Sequence, residues 1–226
     1  MRIFTEAHSN AKTDKASKLV ETAILHLSPS TVSGYNVCPL ASEGCKKACL
    51  NTAGRGTFDN VQTARLNRTL LYFQDREAFW VAVIADIETL RRRARKSGKA
   101  VAVRLNGTSD IMWEKQQIPE GGTIFERFPD VNFYDYTKIP GRKTPSNYHL
   151  TFSLSEDNKQ SALAELSTGR NVAVVFRDSL PPYYLGKRVV SGEKTDLRYQ
   201  DPKGVVVGLI AKGKAKKDVS GFVQSY

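Results

Sequence analysis

The chain has 226 residues, with 34 Lys and Arg against 23 Asp and Glu, so its formal net charge is +11. Its 40% of hydrophobic and 25% of charged residues are typical of a globular protein and exclude a largely disordered chain. We expect one α/β domain over residues 1–226, large enough to bury a core without disulfide bonds. The positive charge is typical either of a protein that binds a polyanion such as nucleic acid, or of an ordinary basic surface.

Membrane insertion and secretion are not expected. The longest apolar runs, Phe79–Ile84 and Val205–Ile210, fall far short of the ~20 residues that cross a bilayer. The N-terminal segment lacks the apolar core of a signal peptide. Three cysteines, an odd number, lie between Cys38 and Cys49 and do not fit a secreted disulfide framework. These features predict a cytoplasmic protein.

The first half of the chain predicts two helices after a long loop. Residues 15–27 are apolar enough for a short helix or a strand, and residues 28–56, rich in Ser, Gly, Pro and Cys, predict a structured loop. Asn60 is a candidate N-cap for a helix that ends at Gln74. A second helix is expected over Glu77–Ser97, with Gly98 at its end and one apolar face formed by Phe79, Val83, Ile87 and Leu90.

The second half predicts a parallel sheet. Short, nearly continuous apolar runs recur there, as expected for strands that are buried on both faces, and a helix over Asp157–Thr168 separates two of them. This order predicts an α/β architecture, for which we favour an open or partial (β/α) barrel over a doubly wound sheet. The runs are Ala100–Leu105, Val131–Tyr136, Tyr148–Ser153, Asn171–Phe176 and Val205–Ile210.

Polar residues collect where these runs end, and parallel α/β folds bind ligands at the carboxyl ends of their strands. Ordinary capped turns are the alternative interpretation. Asp135 interrupts an apolar strand, a costly placement for an unpaired carboxylate, and alternation places Tyr134 and Tyr136 on the opposite face. The candidate catalytic residues are Asp110, Glu114 and Asp135. The candidate substrate- or cofactor-binding residues are Arg55, Arg104, Asn106, Tyr134, Tyr136, Lys138, Ser153 and Lys212.

All three cysteines lie in one loop with the spacing C-x6-C-x3-C: Cys38, Cys45 and Cys49. Three thiolates match a [4Fe–4S] cluster with one iron free of protein ligands. Structural zinc is the alternative and needs a fourth ligand, for which His8, His26 and His149 are the candidates. A loop without a metal is the third interpretation.

A three-cysteine loop in an α/β chain resembles the cluster loop of radical SAM enzymes, although the usual spacing there is C-x3-C-x2-C. That resemblance implies a partial barrel and S-adenosylmethionine bound at the open iron. The glycine-rich Gly-Gly-Glu segment of those enzymes has only a weak counterpart, Gly121-Gly122, without a following Glu. The spacing C-P-x5-C-x3-C is similar to that of a family of bacteriophage proteins, a resemblance that brings no particular activity. The resemblance to this phage family extends over most of the chain through the strings NTAGRG, RLNGTSDI, FYDYTK and NYHLTFS.

Two functional hypotheses follow. In the first, the chain is a phage-type iron–sulfur enzyme, with radical SAM-like or related chemistry on a nucleotide, a nucleic-acid base or a small metabolite. In the second, zinc stabilises a nucleic-acid-binding module that has no catalytic role. An interaction protein with a purely structural cluster is a third, less specific hypothesis.

Overall fold

The structure is a computed structural model in which residues 2–6 and 19–226 are described. Part of the predicted segment 15–27, and the candidate ligand His8, therefore lie outside the described residues. Nine described strands form one sheet in the order β1-β2-β3-β4-β5-β6-β9-β8-β7. Their bounds are Phe4–Glu6 (β1), Val20–Leu25 (β2), Ala100–Arg104 (β3), Asn132–Thr137 (β4), Tyr148–Ser153 (β5), Val172–Phe176 (β6), Tyr183–Tyr184 (β7), Lys187–Ser191 (β8) and Val206–Ile210 (β9).

The sheet is mostly parallel, which confirms the α/β class. From β2 to β6 neighbouring strands are consecutive in the chain and parallel, and β9 then pairs in parallel with both β6 and β8. Strands β1 and β7 pair antiparallel at the two edges. All five apolar runs of the second half are strands within one residue of their expected bounds. The ambiguous N-terminal segment contains β2. Strands β1 and β7 have too few residues for a pattern to predict them, and β8 has only two apolar residues, Val189 and Val190.

Five α-helices are described: Glu43–Lys47 (α1), Asp59–Gln74 (α2), Arg76–Ser97 (α3), Ile124–Arg127 (α4) and Lys159–Ser167 (α5). The expected N-cap Asn60 is wrong, because Asn60 lies inside the first turn and Phe58 occupies the N-cap position. A 3-10 turn leads the chain into α2 and moves the helix start upstream. Helix α3 begins after Asp75, whose side chain accepts a 3.0 Å hydrogen bond from the Ala78 N–H, and ends at Gly98 with φ 65°.

The main core lies between the helices and one face of the sheet. The predicted apolar face of α3 is buried there, and the Trp113 ring is fully buried against the aromatic side chains of Tyr72 and Phe79. The opposite face of the N-terminal strands carries a smaller cluster in which Tyr134 and Ala102 pack with Leu197. No helix in the described ranges is long and apolar enough to cross a membrane.

Residues 26–58 cross the carboxyl ends of the parallel strands. After β3, Gly107 lies so close to this segment that a Cβ would stand 2.8 Å from Cδ2 of the His26 ring. After β5, Glu156 accepts hydrogen bonds from Ser42 Oγ at 2.8 Å and from the Gly44 N–H at 2.7 Å. After β9, a Cβ on Gly213 would meet the Cβ of Ala53 at 2.7 Å. The cysteine loop is therefore held at the edge where parallel α/β proteins bind ligands.

The buried face of α3 is expected to dominate the stability of this fold. Ile87→Ala should lower the free energy of unfolding by about 2–5 kcal/mol, because the fully buried side chain leaves a cavity. Val81→Ala is the matched control on the same helix; its side chain is 59% exposed, and the change should stay within about 0.5 kcal/mol. Urea unfolding followed by circular dichroism measures both, and equal losses would contradict this packing.

Candidate functional site

Cys38 is held where the cysteine loop meets the turn after β3. Its Sγ accepts a hydrogen bond from the Ser30 N–H at 3.4 Å and lies 3.7 Å from the Thr108 carbonyl oxygen, to which the thiol can donate. Thr108 Oγ1 in turn donates to the Leu27 carbonyl at 2.5 Å. Burial raises the pKa of Cys38 to about 12, and the neighbouring Cys49 and Asp110 add to this rise. Without a metal, this sulfur therefore holds its proton at neutral pH.

Cys45 and Cys49 lie on and just after the short helix α1. Cys45 packs against apolar side chains from the segment after β9, among them Ala215 and Phe222. The Cys45 N–H donates to Ser42 Oγ at 3.2 Å, which fixes the start of the helix. Burial also raises the pKa of Cys49, while the charges of Arg65 and Lys138 act in the opposite direction. The second and third cysteines thus have cationic side chains nearby.

The three thiols lie near one another without forming a ready ligand set. Electrostatic interactions join Cys38 to both other cysteines, and Cys45 to Cys49. All three are free thiols and partly buried. Among the described residues, no three Cys, His, Asp or Glu side chains are close enough to form a metal-binding group. The sulfur atoms must therefore shift if they are to share one metal centre.

The two described histidines occupy different places. His149 is the second residue of β5, at the amino end of that strand and away from the cysteine loop, and its ring lies 5.8 Å from that of Tyr199. His26 follows β2 at the carboxyl edge. Burial and the charges of Arg65 and Arg104 lower the pKa of His26 to about 3, so its ring is neutral.

Asp110 and Lys138 connect the cysteine loop to the sheet. The Asp110 N–H donates to the Val37 carbonyl at 2.8 Å, one residue before Cys38. Its carboxylate accepts a 2.7 Å hydrogen bond from the Lys138 N–H. Lys138 Nζ donates to Ser153 Oγ at 2.9 Å, so the predicted site residues after β3, β4 and β5 meet beside the cysteines. Burial raises the pKa of Asp110.

A buried ionic network occupies the helix-covered side of this edge, and Arg142 is its centre. The guanidinium, 4% exposed, donates to both carboxylate oxygens of Glu114, at 3.0 and 2.6 Å. It also donates to Asp110 Oδ1 at 3.3 Å and to Tyr148 Oη at 3.3 Å. The predicted catalytic carboxylates Asp110 and Glu114 are therefore brought together by one arginine. Glu114 is fixed by a two-pronged ion pair rather than left free.

Asp135, the third predicted catalytic carboxylate, is fully buried next to this network. Its oxygens accept hydrogen bonds from the Asn106 N–H at 2.7 Å and from Tyr148 Oη at 2.8 Å. Burial raises the pKa of Asp135 to about 7, against the opposing charge of Arg104. This carboxyl group can hold or release a proton near neutral pH.

Asn106 builds the turn after β3. Its Oδ1 accepts hydrogen bonds from Ser109 Oγ, the Ile111 N–H and Trp113 Nε1, all between 2.8 and 3.0 Å, and its Nδ2 donates to the Ile111 carbonyl. The side chain is 1% exposed. These bonds occupy Oδ1 with three donors and one N–H of Nδ2, so in this arrangement Asn106 shapes the loop rather than facing a ligand.

Arg104 and the two tyrosines lie on the opposite face of the sheet. Arg104 Nη1 donates to Asp196 Oδ2 at 3.1 Å, and the guanidinium stands 4.7 Å from the centre of the Tyr136 ring. The hydroxyl of Tyr134 and Nε of Arg104 are buried without a hydrogen-bond partner. Arg104 Nε lies 3.9 Å from Asp135 Oδ1, which links this face to the buried network. Arg104 was predicted to bind an anionic ligand, and in the structure it forms an ion pair with Asp196 instead.

Two predicted residues lie on the outer rim. Arg55 is exposed in the 3-10 turn that leads into α2. Lys212, which follows β9, forms a 2.7 Å ion pair with Glu193 and remains 47% exposed.

Sequence reasoning missed Arg142, Tyr148 and Asp196. Arg104 stood out as a charged residue on an otherwise apolar strand, whereas Arg142 lies in the loop after β4 and carries no such signal. Tyr148 is indistinguishable from a core residue in an apolar strand. Asp196 is 92 residues from Arg104, and no local pattern joins them.

The fold and site define an α/β protein in which a three-cysteine loop covers the carboxyl edge of a mostly parallel sheet. The chain matches the family described as Gene product 88 over residues 3–226 and belongs to that family. The bacteriophage family indicated by the sequence motifs is thereby confirmed. Neither the curated proteins nor the solved structures contain a significant match to the chain.

Breaking the Arg142 network should be costly. We expect Arg142→Met to lower the free energy of unfolding by about 3–5 kcal/mol, because the buried Glu114 and Asp110 carboxylates lose their countercharge. Adding Glu114→Gln should restore part of the loss. Arg127→Met, which breaks an exposed pair with Glu88, is the control and should cost at most about 1 kcal/mol. Equal effects of the two arginine changes in denaturant unfolding would contradict a stabilising network.

The raised pKa of Asp135 makes stability depend on pH. The native carboxyl keeps its proton up to a pH of about 7, whereas in the unfolded chain it ionises near pH 4, so this group loses stabilising effect as the pH rises. Relative to Asp135→Asn, the wild type should lose roughly 1–3 kcal/mol of unfolding free energy between pH 5 and pH 8. Denaturant unfolding of both proteins at each pH measures this. A constant difference, or one that grows with pH, would be inconsistent with the buried acid.

Proposed function

We propose that this chain is an iron–sulfur enzyme that holds a [4Fe–4S] cluster on Cys38, Cys45 and Cys49. One observation carries the proposal: all three cysteines of the chain lie near one another over the carboxyl edge of the parallel sheet. That edge is where α/β enzymes place their chemistry. The parallel, consecutive order of β2 to β6 supports the partial-barrel architecture that the sequence predicts.

The donor set suits such a cluster in its chemistry, although the three sulfur atoms must move together to hold it. Three thiols leave one iron without a protein ligand. Arg65 and Lys138, which act on Cys49, would offset the negative charge of thiolates. Because the Cys38 thiol is protonated in the metal-free protein, loading must release its proton and should become more favourable as the pH rises. Such a cluster supplies either one-electron chemistry on bound S-adenosylmethionine or Lewis-acid activation of a substrate.

The chain's own residues would bind and orient the substrate beside the cysteines. Lys138 and Ser153 offer an ammonium and a hydroxyl group next to Cys49. Asp135 holds a proton that exchanges near neutral pH, and Asp110 positions Lys138. A nucleotide, a nucleic-acid base or a small metabolite with an anionic group suits this set. Free thiols are typical of proteins in a reducing compartment, which supports the cytoplasm of the phage host as the location of the proposed enzyme.

Zinc in a non-catalytic nucleic-acid-binding module is the competing hypothesis. A structural zinc site normally takes four protein ligands. His149 lies at the amino end of its strand, which makes it a poor fourth ligand for the cysteine loop, so His26 at the carboxyl edge is the described histidine that this hypothesis requires. We favour the three-thiol cluster because it needs no fourth protein ligand.

Metal analysis after strictly anaerobic purification tests the proposal. We expect about four irons and four acid-labile sulfides per chain, with a broad visible absorption band. Cys38→Ser, Cys45→Ser and Cys49→Ser should each lose most of the iron and the band. Ser33→Ala, in the same loop, is the matched control and should keep both. Equilibrium dialysis with S-adenosylmethionine then decides between the two kinds of chemistry.

One zinc per chain without sulfide would overturn the cluster and favour the zinc module. Iron that persists in all three serine variants would equally overturn the assignment of ligands. A folded protein that stays metal-free after separate anaerobic reconstitutions with iron and sulfide and with zinc would refute both metal hypotheses.

A further inference from the structure

A basic surface borders the cysteine loop, and we call its five exposed cations the basic rim: Lys47, Arg55, Lys214, Lys216 and Lys217. They come from two parts of the chain that the fold brings together. The close approach of Gly213 to Ala53 joins the turn Gly213–Lys217 to the turn that carries Arg55. Ala215, inside the lysine-bearing turn, packs in one cluster with Cys45.

The basic rim carries uncompensated charge. In the described part of the chain, no carboxylate lies within ion-pair distance of its five cations. Two nearby lysines are neutralised instead, since Lys46 pairs with Glu43 and Lys212 with Glu193, each at 2.7 Å. Arg177 donates to the carbonyls of Lys216 and Asp218, at 3.0 and 2.7 Å, and so fixes the backbone of the lysine-bearing turn. The charges are therefore presented on a held turn rather than on a loose tail.

An exposed aromatic residue follows one of these cations closely in the chain. Phe58 is 57% exposed at the start of α2, three residues after Arg55. An aromatic ring among lysine and arginine side chains is the combination that binds single-stranded nucleic acid, with bases on the ring and phosphates on the cations. Leu50 and Val219 are also exposed here, so an anionic lipid surface is the competitor that the experiment must distinguish. Cations outnumber these scattered apolar side chains, which favours a phosphate chain over an inserted lipid contact.

We propose that the basic rim and Phe58 form a docking surface for single-stranded nucleic acid, which makes a nucleic-acid base the substrate class of the cysteine site. The assignment as substrate rests on the proposed function, because only a reactive cysteine site makes the bound strand a substrate. The docking surface itself depends only on the rim. Lys47 lies two residues after Cys45 in the chain, and Ala215 packs in the same cluster as Cys45. A nucleic-acid strand bound to the basic rim would therefore pass next to the cysteines.

Fluorescence anisotropy with a labelled 20-nucleotide oligodeoxythymidine tests the surface on the full chain, purified anaerobically. Binding should weaken steeply with salt, because each phosphate contact releases counterions from the strand. The variant K214Q/K216Q/K217Q should bind at least tenfold more weakly at 50 mM salt. The slope of log K against log salt should become shallower by about 2, given about 0.7 per contact on a single strand.

The matched control is R92Q/R95Q/K96Q, which also removes three positive charges, but from exposed positions near the C-terminal end of α3. That end precedes β3 and so lies at the amino edge of the sheet. The control should keep the wild-type affinity within about twofold and the wild-type slope. Phe58→Ala should weaken the single strand about tenfold and a duplex of the same length much less. Thermal melting of each variant verifies its fold.

Equal losses in the rim and control variants would overturn the docking surface, since net charge alone would then explain binding. Preferential binding to phosphatidylglycerol vesicles over the oligonucleotide would overturn it in favour of a lipid surface. An unchanged single-strand affinity in Phe58→Ala would overturn the stacking role. The two proposals can fail separately. Salt-dependent binding to the basic rim by a protein that holds no iron would refute the proposed enzyme and support the docking surface. A loaded cluster in a protein that does not bind the oligonucleotide would support the enzyme and refute the docking surface.

Discussion

Asp110 joins three parts of the molecule, and the candidate site depends on it. Its N–H holds the residue before Cys38, its carboxylate holds the backbone of Lys138, and Arg142 balances its charge. A backbone donor and a carboxylate on one residue thus fix the cysteine loop, the end of β3 and the end of β4 relative to one another. Because this carboxylate is largely buried, its partners are constrained in position as well as in charge.

The carboxyl edge divides into two sides with different chemistry. On the helix side, Arg142 neutralises buried carboxylates, and Tyr148 joins this set to Asp135. On the other face, Arg104 pairs with Asp196 and leaves the hydroxyl of Tyr134 without a partner. The first side is closed and fully bonded, as a structural network requires. The second side leaves Arg104 Nε and the Tyr134 hydroxyl buried without a hydrogen-bond partner.

The proposed cluster and the proposed docking surface share the same loop for a physical reason. Residues 26–58 cross the ends of β3, β5 and β9, so the loop lies between the sheet edge and the turn that follows β9. Cys45 faces that turn through Ala215, and the lysines of the turn face outwards. The loop and this turn together would therefore place the proposed cluster beside the proposed docking surface.

The sequence by itself determined the regular elements with uninterrupted patterns. The apolar runs from Ala100 to Ile210 became strands because buried parallel strands need continuous apolar residues, and the four-and-three spacing from Phe79 to Leu90 placed one face of α3 in the core. Asn60 shows the limit, because the preceding 3-10 turn set the start of α2 where side-chain preference alone did not. The cysteine motif and the residues at strand ends also stood out in the sequence.

Only the tertiary structure decided which of those residues meet. Arg142 reaches Glu114 across 28 positions, and Arg104 reaches Asp196 across 92, and no periodic pattern carries such pairings. The sequence predicted Asn106 as a ligand-binding amide, but its oxygen accepts three hydrogen bonds from its own turn and its nitrogen donates to the same turn. The strand order brought the ends of β3, β4, β5 and β9 under one loop. Burial then set the charge of each group, because desolvation depends on the whole fold rather than on neighbours in the chain.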